Sequence, residues 1–242
     1  LFGINQVQVR PEVGLTFAAA LKAFLRQDPN VIMLGEIRDL ETGGIAIKAA
    51  LTGHMVLSTL HTNSAPETVT RLLDMGLEPF NVASAVNLVL AQRLVRRICP
   101  KCKVRRAADP QELAAAKVTA RTTLRELKFT QRAIDDAKAR ATPEAAPLVA
   151  GVTLDTAVGE LPWWKGAGCD HCGGTGLKGR QGLYEVMVLS GALRKQVLKS
   201  PDAAALRDAA VGEGMLTLRM DGWLKVLKGV TTLEQVIRET SA

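Results

Sequence analysis

Aromatic side chains are scarce in this sequence of 242 residues, in which Phe, Trp and Tyr together make up 4%. A surface of aromatic platforms that stacks single-stranded bases is therefore not expected. The sequence also lacks any apolar run close to the ~18 residues that a membrane-spanning helix needs, so we expect no insertion into a membrane. Its first ten residues have neither the charged start nor the apolar centre of a secretory signal. Glycine and proline occur at ordinary levels, which excludes a collagen-like or wholly disordered chain.

The excess of positive charge is small and local. Lys and Arg number 31 against 24 Asp and Glu, which gives a net charge of +7. Residues 93–106, the basic cluster, hold seven of these bases and no acid, and the remainder of the chain is balanced. A positive field over the whole surface is not indicated, so we expect no nucleic-acid partner. The basic cluster is either a solvated helix end and loop or a docking patch for an acidic partner.

Residues 1–97 alternate apolar runs with helical spacing, which predicts an α/β unit with a parallel sheet. Residues 31–34 and 55–60 are rich in apolar side chains, and both are predicted to be strands buried within the sheet. Residues 64–67 form a capping box that opens a helix. Further helices are predicted at residues 16–27, 42–51 and 79–98.

The sequence changes in character at the first cysteine. We predict an α/β core over residues 1–97, a tetracysteine zinc subdomain with an inserted helical segment over 98–188, and a helical C-terminal subdomain over 189–242. Residues 107–160 are rich in alanine and charge and contain no motif that assigns them a role. Beyond them the pattern predicts a strand at 183–188, helices at 192–199, 202–212 and 218–227, and a capping box at 231–234.

All four cysteines occur in C-x-x-C pairs, Cys99 with Cys102 and Cys169 with Cys172, and 66 residues separate the pairs. Two such turns supply four thiolates, the ligand set of a closed structural Zn²⁺ site that leaves no position for water or substrate. Disulfides need an oxidising compartment, and a redox dithiol does not explain two matched pairs. We therefore predict structural zinc.

The residues around the second cysteine pair have expected supporting roles. His171 lies between two ligands and is interpreted as an exposed spacer. The glycines after the pair are expected to turn backbone amides toward the sulfurs; they are Gly173, Gly174 and Gly176.

Polar residues follow both predicted strands of the α/β core. Glu36 stands where the first apolar run ends, and His61 stands where the second ends. Because the carboxyl ends of parallel strands share one edge of a sheet, these two side chains are expected at one ligand site. An acid that orients water or Mg²⁺, beside a donor to a terminal phosphate, is the layout of a nucleotide-hydrolysing site. His54 begins the second strand and is expected to be a hydrogen-bonded structural residue.

These segments resemble the secretion ATPase superfamily, and within it the type II secretion and type IV pilus assembly ATPases. RQDPNVIMLGEIRD at 26–39 resembles the atypical Walker B box of that family, and LTGHMVLSTLHTN at 51–63 resembles its histidine box. The resemblance covers nearly the whole chain except residues 107–160, and tetracysteine zinc binding is typical of the assembly branch. The other similar segments are QRLVR at 92–96, the two cysteine pairs, GRQGLYEVM at 179–187, TLRMDG at 217–222 and TTLE at 231–234.

The resemblance implies a RecA-like fold of the P-loop NTPase type, with residues 1–97 as the C-terminal portion of the ATPase core. It implies a homohexamer at the cytoplasmic face of the inner membrane, which uses ATP and Mg²⁺ to power pilus assembly or type II secretion and acts with an inner-membrane platform protein. Glu36 would polarise the attacking water, and His61 would contact the γ-phosphate. At the same strand ends, nucleotide binding is assigned to Gly35, Arg38 and Thr59.

The sequence departs from the family in one respect, because it contains no G-x-x-x-x-G-K-[ST] motif. We therefore expect it to be the C-terminal part of a longer motor and to be inactive alone. A second hypothesis is a zinc-stapled binding module without enzymatic activity. CDHCGGTG at 169–176 is similar to the zinc repeats of DnaJ-type chaperones, and the basic cluster could suit nucleic acid. Against this module, the first cysteine pair lacks trailing glycines and no array of repeats is present.

Overall fold

The computed structural model describes residues 2–241, which form two compact units. The first unit comprises the chain up to Val89 together with Met187–Ala210, and the second comprises Leu90–Val186 together with the chain from Val211. None of the helices in this described part of the chain has the length and apolarity that crossing a membrane requires. In chain order the helices are α1 (Phe17–Phe24), α2 (Leu40–Leu51), α3 (Ala65–Asp74), α4 (Pro79–Ala85), α5 (Pro110–Ala115), α6 (Gln131–Ala139), α7 (Ala146–Val149), α8 (Gly191–Lys199), α9 (Ala203–Gly212), α10 (Leu218–Leu227) and α11 (Leu233–Thr240), and the strands are β1 (Val31–Met33), β2 (Met55–Leu57), β3 (Leu88–Ile98), β4 (Lys103–Arg106), β5 (Trp163–Gly166) and β6 (Leu177–Val188).

β1 and β2 of the first unit are parallel neighbours, with Val31 opposite Met55. α2 connects them as the crossover that parallel strands require. The Asp39 side chain begins this helix by accepting a hydrogen bond from the N–H of Thr42 at 2.8 Å. The core beneath the sheet is formed by Leu21 of α1, Ile32 and Leu34 of the first strand region, and Ala46 and Ala49 of α2.

Among residues 2–241, helices cover only one face of this two-stranded sheet. Ile32 is 4% exposed, whereas the side chains on the opposite face are between 45% and 61% exposed. The prediction that both strands are buried is therefore wrong for the described residues. The reason is that side chains alternate across a strand, and α1 and α2 contribute to the same core on one face. The exposed side chains are Val31, Met33, Met55 and Leu57.

Residues Met187–Ala210 belong to the first unit, and α8 within them packs against it. Arg194 donates to the carbonyl oxygen of Ser84 at 3.0 Å, to Oδ1 of Asn87 at 2.8 Å and to the carbonyl oxygen of Leu189 at 2.9 Å. Ser84 lies at the end of α4 and Asn87 just after it, so one guanidinium ties α8 to α4. The compact units therefore differ from the three segments predicted from the sequence, because residues 187–210 belong with the first unit.

The helix predicted at residues 79–98 is wrong beyond its first two turns. α4 ends at Ala85, and β3 follows from Leu88 to Ile98. β3 pairs with β6, which also begins six residues earlier than the predicted strand at 183–188. Exposure alternates along much of β3, as expected for a strand with one covered face. A dense apolar run satisfies helical and strand spacing together, and here pairing with a distant strand decided the outcome.

β4 and β5 form an antiparallel ribbon in the second unit, with Lys103 opposite Gly166 and Arg106 opposite Trp163. The residues between them carry α5, α6 and α7, as expected for an inserted helical segment. Trp163 is buried, and its ring meets that of Trp223 in α10 edge-on, with centroids 5.9 Å apart. The insertion and the C-terminal helices therefore share one core.

Capping residues define most of the predicted helix starts. Ser64 accepts the N–H of Glu67 at 3.4 Å, which confirms the predicted helix start. The Glu67 carboxylate accepts the N–H of Asn63 at 3.1 Å, one residue before the position that a capping box uses. The second predicted cap is displaced by one residue, because Thr232 is the residue that caps α11, and its hydroxyl accepts the N–H of Gln235. The preceding Thr231 is fully buried, and its hydroxyl instead donates to the carbonyl oxygen of Arg96.

Candidate functional site

The ends of β1 and β2 bring Glu36 and His61 together. Nε2 of His61 lies 3.2 Å from Oε2 of Glu36, a hydrogen-bond distance with the imidazole N–H as donor. The Glu36 side chain is 19% exposed, whereas that of His61 is 89% exposed. The structure thus places the predicted acid and imidazole at one edge of the sheet, with the imidazole open to solvent.

Arg38 completes this cluster through an ion pair with the other oxygen of Glu36. The hydrogen bond from Arg38 is the main reason that the pKa of Glu36 lies below its usual value. Burial works in the opposite direction, while the charge of Arg38 and the hydrogen bond from His61 lower the pKa further. Glu36 is therefore held in its carboxylate form near neutral pH.

Gly35 and Thr59 lie beside the acid and contact each other. The Thr59 hydroxyl donates to the carbonyl oxygen of Gly35 at 2.6 Å. The N–H of Ile37 donates to the carbonyl oxygen of Thr59 at 3.1 Å. All the first-unit residues assigned to a site from the sequence are therefore brought together in the structure.

His54 lies at the other end of β2, apart from this cluster. Its Nδ1 lies 3.0 Å from the carbonyl oxygen of Ala49 and 3.2 Å from the hydroxyl of Thr52, both at the end of α2. These contacts agree with the structural role predicted for His54.

Sequence reasoning missed the hydroxyl pair that supports the loop after His61. Oγ1 of Thr62 and Oγ1 of Thr68 are 2.7 Å apart, and the Thr68 hydroxyl donates to the carbonyl oxygen of Ser64. The link connects this loop to the first turn of α3. One signal was available, because a threonine four residues after a helix N-cap commonly bonds back to that residue's carbonyl.

The four cysteine sulfurs converge in the second unit. The Sγ atoms of Cys99 and Cys169 are 3.9 Å apart, as are those of Cys102 and Cys172, and Cys169 and Cys172 are separated by 3.8 Å. All four ligand atoms lie within 4.8 Å of one another, and all four cysteines are free thiols. Zn–S bonds of about 2.3 Å in a regular tetrahedron give sulfur separations of about 3.8 Å. The site therefore fits a four-thiolate zinc ion.

Backbone amides support the second cysteine pair. The N–H groups of Cys169 and Gly176 donate to Sγ of Cys172 at 3.3 and 3.2 Å. Burial opposes ionisation of Cys172, but these N–H groups favour the thiolate, and its pKa is lowered to about 6. Burial and the neighbouring thiols instead raise the pKa of Cys102 to about 12. Cys102 and Cys172 therefore differ in how readily each gives up its proton.

The glycines and His171 have more specific positions than the sequence indicated. Of the three glycines expected near the sulfurs, Gly176 donates to a sulfur, while Gly173 and Gly174 donate to carbonyl oxygens. A Cβ on Gly166 would lie 1.9 Å from the carbonyl oxygen of Gly176, so the backbone at the end of β5 and the backbone just before β6 meet too closely for a side chain. His171 is exposed and lies outside the cysteine cluster, as predicted.

Several members of the basic cluster are engaged within the second unit. Arg96 donates to the carbonyl oxygen of Leu177 at 3.3 Å. Arg106 forms an ion pair with Glu112. The Lys103 side chain is 6% exposed, and its Nζ lies 2.6 Å from the Thr142 hydroxyl and 4.5 Å from the centre of the Trp164 ring. Arg105 between them is exposed. A docking patch formed by the whole cluster is therefore not supported, because Lys103 and Arg106 are engaged internally.

The chain is similar to known proteins along nearly its whole length. The family described as Type II/IV secretion system protein matches residues 1–238. The type IV pilus assembly ATPase PilB of Thermus thermophilus is 45% identical over 238 residues, covering 98% of this chain and 23% of the relative. Type II secretion system protein E of Aeromonas hydrophila is 41% identical over 240 residues, covering 99% of this chain and 40% of the relative. The chain thus spans well under half the length of these curated relatives.

Solved structures show the same fold at low sequence identity. The pilus retraction motor PilT with bound ADP is 22% identical, with a TM-score of 0.56 over 95% of this chain and 45% of that chain. The ATPase DotB of Yersinia pseudotuberculosis is 19% identical, with a TM-score of 0.58 over 98% of this chain and 43% of that chain. These similarities confirm the predicted α/β ATPase fold.

Proposed function

The chain belongs to the type II/IV secretion system protein family, and from this premise we propose that the whole protein is an ATPase that powers type IV pilus assembly or type II secretion. The family match over nearly the entire chain supports this function over a zinc-stapled binding module. The observation that carries the proposal is the approach of Glu36 and His61 at the ends of neighbouring parallel strands.

In this proposal the Glu36 carboxylate accepts a hydrogen bond from the attacking water and polarises it. The lowered pKa of Glu36 keeps it available for that role at neutral pH. His61 is exposed beside it, and with nucleotide bound its N–H would turn from Glu36 to an oxygen of the γ-phosphate. Arg38 is 71% exposed, so its guanidinium has solvent-facing N–H groups for phosphate while it pairs with Glu36.

The remaining parts of the ATP site lie outside these residues in our proposal. The sequence contains no P-loop motif, so the phosphate cradle and the hydroxyl that holds Mg²⁺ are supplied elsewhere in the whole protein. Mg²⁺ would offset the charge of the phosphates. The 242 residues alone are accordingly expected to show no ATP turnover.

The central experiment is Glu36→Gln in the full-length protein. Glutamine keeps the size of the side chain but is a poor base, so ATP hydrolysis should fall by about 100-fold or more while ATP binding stays near normal. Glu41→Gln is the matched control, because Glu41 forms an exposed ion pair with Lys22 in the same unit. Turnover by Glu36→Gln at the rate of the wild type would defeat the assignment.

We also propose that the cysteine cluster binds one structural Zn²⁺ per chain. The support is the sulfur spacing and the amides that face Cys172. A four-thiolate site leaves no open position for substrate, so the ion would stabilise the base of the β4–β5 ribbon and perform no chemistry. Elemental analysis of native protein is expected to find one zinc ion per chain.

For the assembly, we propose a homohexamer at the cytoplasmic face of the inner membrane that contacts a platform protein. The support is the family and the exposed Arg105 in the basic cluster. Native mass spectrometry of the full-length protein tests the hexamer. Loss of platform-protein binding by Arg105→Glu tests the contact, with Arg106 left unchanged because it pairs with Glu112.

A further inference from the structure

Thr59 holds the backbone on both sides of Glu36. Its hydroxyl donates to the carbonyl oxygen of Gly35 at 2.6 Å, and its carbonyl oxygen accepts the N–H of Ile37 at 3.1 Å. These bonds continue the contact between β1 and β2 beyond their last paired residues. Glu36 is the residue between the two tethered positions, so both bonds restrain the segment from which its side chain projects.

Side-chain packing does not fix the backbone at Gly35 itself. A Cβ placed on Gly35 would lie 4.0 Å from its nearest neighbour, the Phe17 ring, so tight packing does not hold the backbone there. A hydroxyl has a single proton to donate, and that of Thr59 is directed at the Gly35 carbonyl. Donation from Thr59 to a phosphate would break this tether.

We propose that Thr59 is a positioning residue for Glu36 and not a nucleotide ligand. The inference deepens the proposed function and rests on it. Hydrolysis requires the carboxylate to meet the attacking water in a narrow range of positions, and a misplacement of about 1 Å can lower a rate by about 100-fold. Loss of the hydroxyl should therefore slow the chemical step and leave the affinity for nucleotide unchanged.

The test compares Thr59→Val with Thr59→Ser in the full-length protein. Valine keeps the shape of threonine without its hydroxyl, and serine keeps the hydroxyl. We expect Thr59→Val to lower kcat by about 10- to 100-fold, with the KM for ATP and the Kd of a non-hydrolysable ATP analogue unchanged. Thr59→Ser should restore most of the rate. If Thr59→Val does not fold, Thr59→Ala provides the same comparison with a smaller side chain.

Thr70→Val is the matched control, because the Thr70 hydroxyl also donates to a carbonyl oxygen in the first unit, that of Pro201 at 3.1 Å, away from Glu36. It should keep wild-type kcat. A higher KM or Kd with retained kcat in Thr59→Val would identify a nucleotide contact and overturn the inference, as would an unchanged kcat or a failure of serine to restore it. Turnover by Glu36→Gln at the wild-type rate would instead refute the proposed function. An inactive Glu36→Gln beside a normal Thr59→Val would refute the positioning role alone.

Discussion

At the scale of single residues, the charge state of Glu36 depends first on Arg38. The hydrogen bond from Arg38 is the largest cause of the lowered pKa of Glu36. Arg38→Gln removes the positive charge, so the pKa of Glu36 should rise. A base must be deprotonated to act, and hydrolysis by the variant should therefore be lost at a higher pH than in the wild type. The measurement is kcat/KM of the full-length protein from about pH 4 to 8.

Lys22→Gln is the control for this pH profile, since it breaks the exposed ion pair with Glu41 in the same unit without touching Glu36. Its acid limb should coincide with that of the wild type. An acid limb at the same pH in Arg38→Gln and the wild type would show that Glu36 is not the base that titrates there.

The sequence was sufficient to predict which residues meet at the candidate site, but it did not predict the hydrogen bonds between them. Strand-end position was enough to bring Glu36 and His61 to one edge, because the carboxyl ends of parallel strands coincide. The bond from Thr59 to Gly35 was not predictable, because it depends on the path of two turns after the strands end. The same holds for Lys103, which the charge pattern assigned to a surface cluster and the structure buries against Trp164.

At the scale of elements, α10 and α11 approach so closely that Gly222 has no room for a side chain. A Cβ at this position would lie 2.3 Å from Cγ1 of Val236. Gly222→Ala should therefore destabilise the protein by about 1–3 kcal/mol, as overpacking does in tight cores. Thermal and urea unfolding measure the change.

The partner variant is Val236→Ala, which removes Cγ1 and Cγ2, the two nearest atoms that alanine at 222 would meet. Because both changes act on one contact, the double variant should lose less stability than the sum of the two single variants. Additive losses would show that the two helices do not meet as described. Gly212→Ala is a control in a helix, since nothing lies within 4 Å of its Cβ position.

Helices that begin with a capping residue were predictable from the sequence. Strands that form only by pairing with a distant segment of the chain were not. Thr217 caps α10 and Ser190 caps α8, and both helices lie close to their predicted bounds. β3 was predicted as a helix because its apolar residues also have helical spacing, and its partner β6 lies about 80 residues further along the chain. No local signal in the sequence reveals that pairing.

At the scale of the whole molecule, the cysteine cluster brings together the two ends of the long segment between the cysteine pairs, residues 103–168. β4 begins one residue after Cys102, and β5 ends three residues before Cys169, so the sulfurs lie at the base of the ribbon that carries residues 107–162. The composition of the insertion did not reveal that it shares a core with α10 and α11. The spacing of the cysteines predicted only that the two ends meet.

Zinc removal should therefore destabilise the second unit, beginning at the base of the β4–β5 ribbon. The free energy of metal binding contributes to the free energy of folding, because the unfolded chain has no formed site. After chelation, amide hydrogen exchange should rise first at Cys169 and Gly176, whose N–H groups face Cys172, and then along β4 and β5. Readdition of zinc should reverse the change. His171→Ala is the control, since this exposed residue lies outside the cluster and its loss should leave zinc content intact. Exchange rates that stay the same after complete removal of the metal would contradict a stabilising role for the cluster.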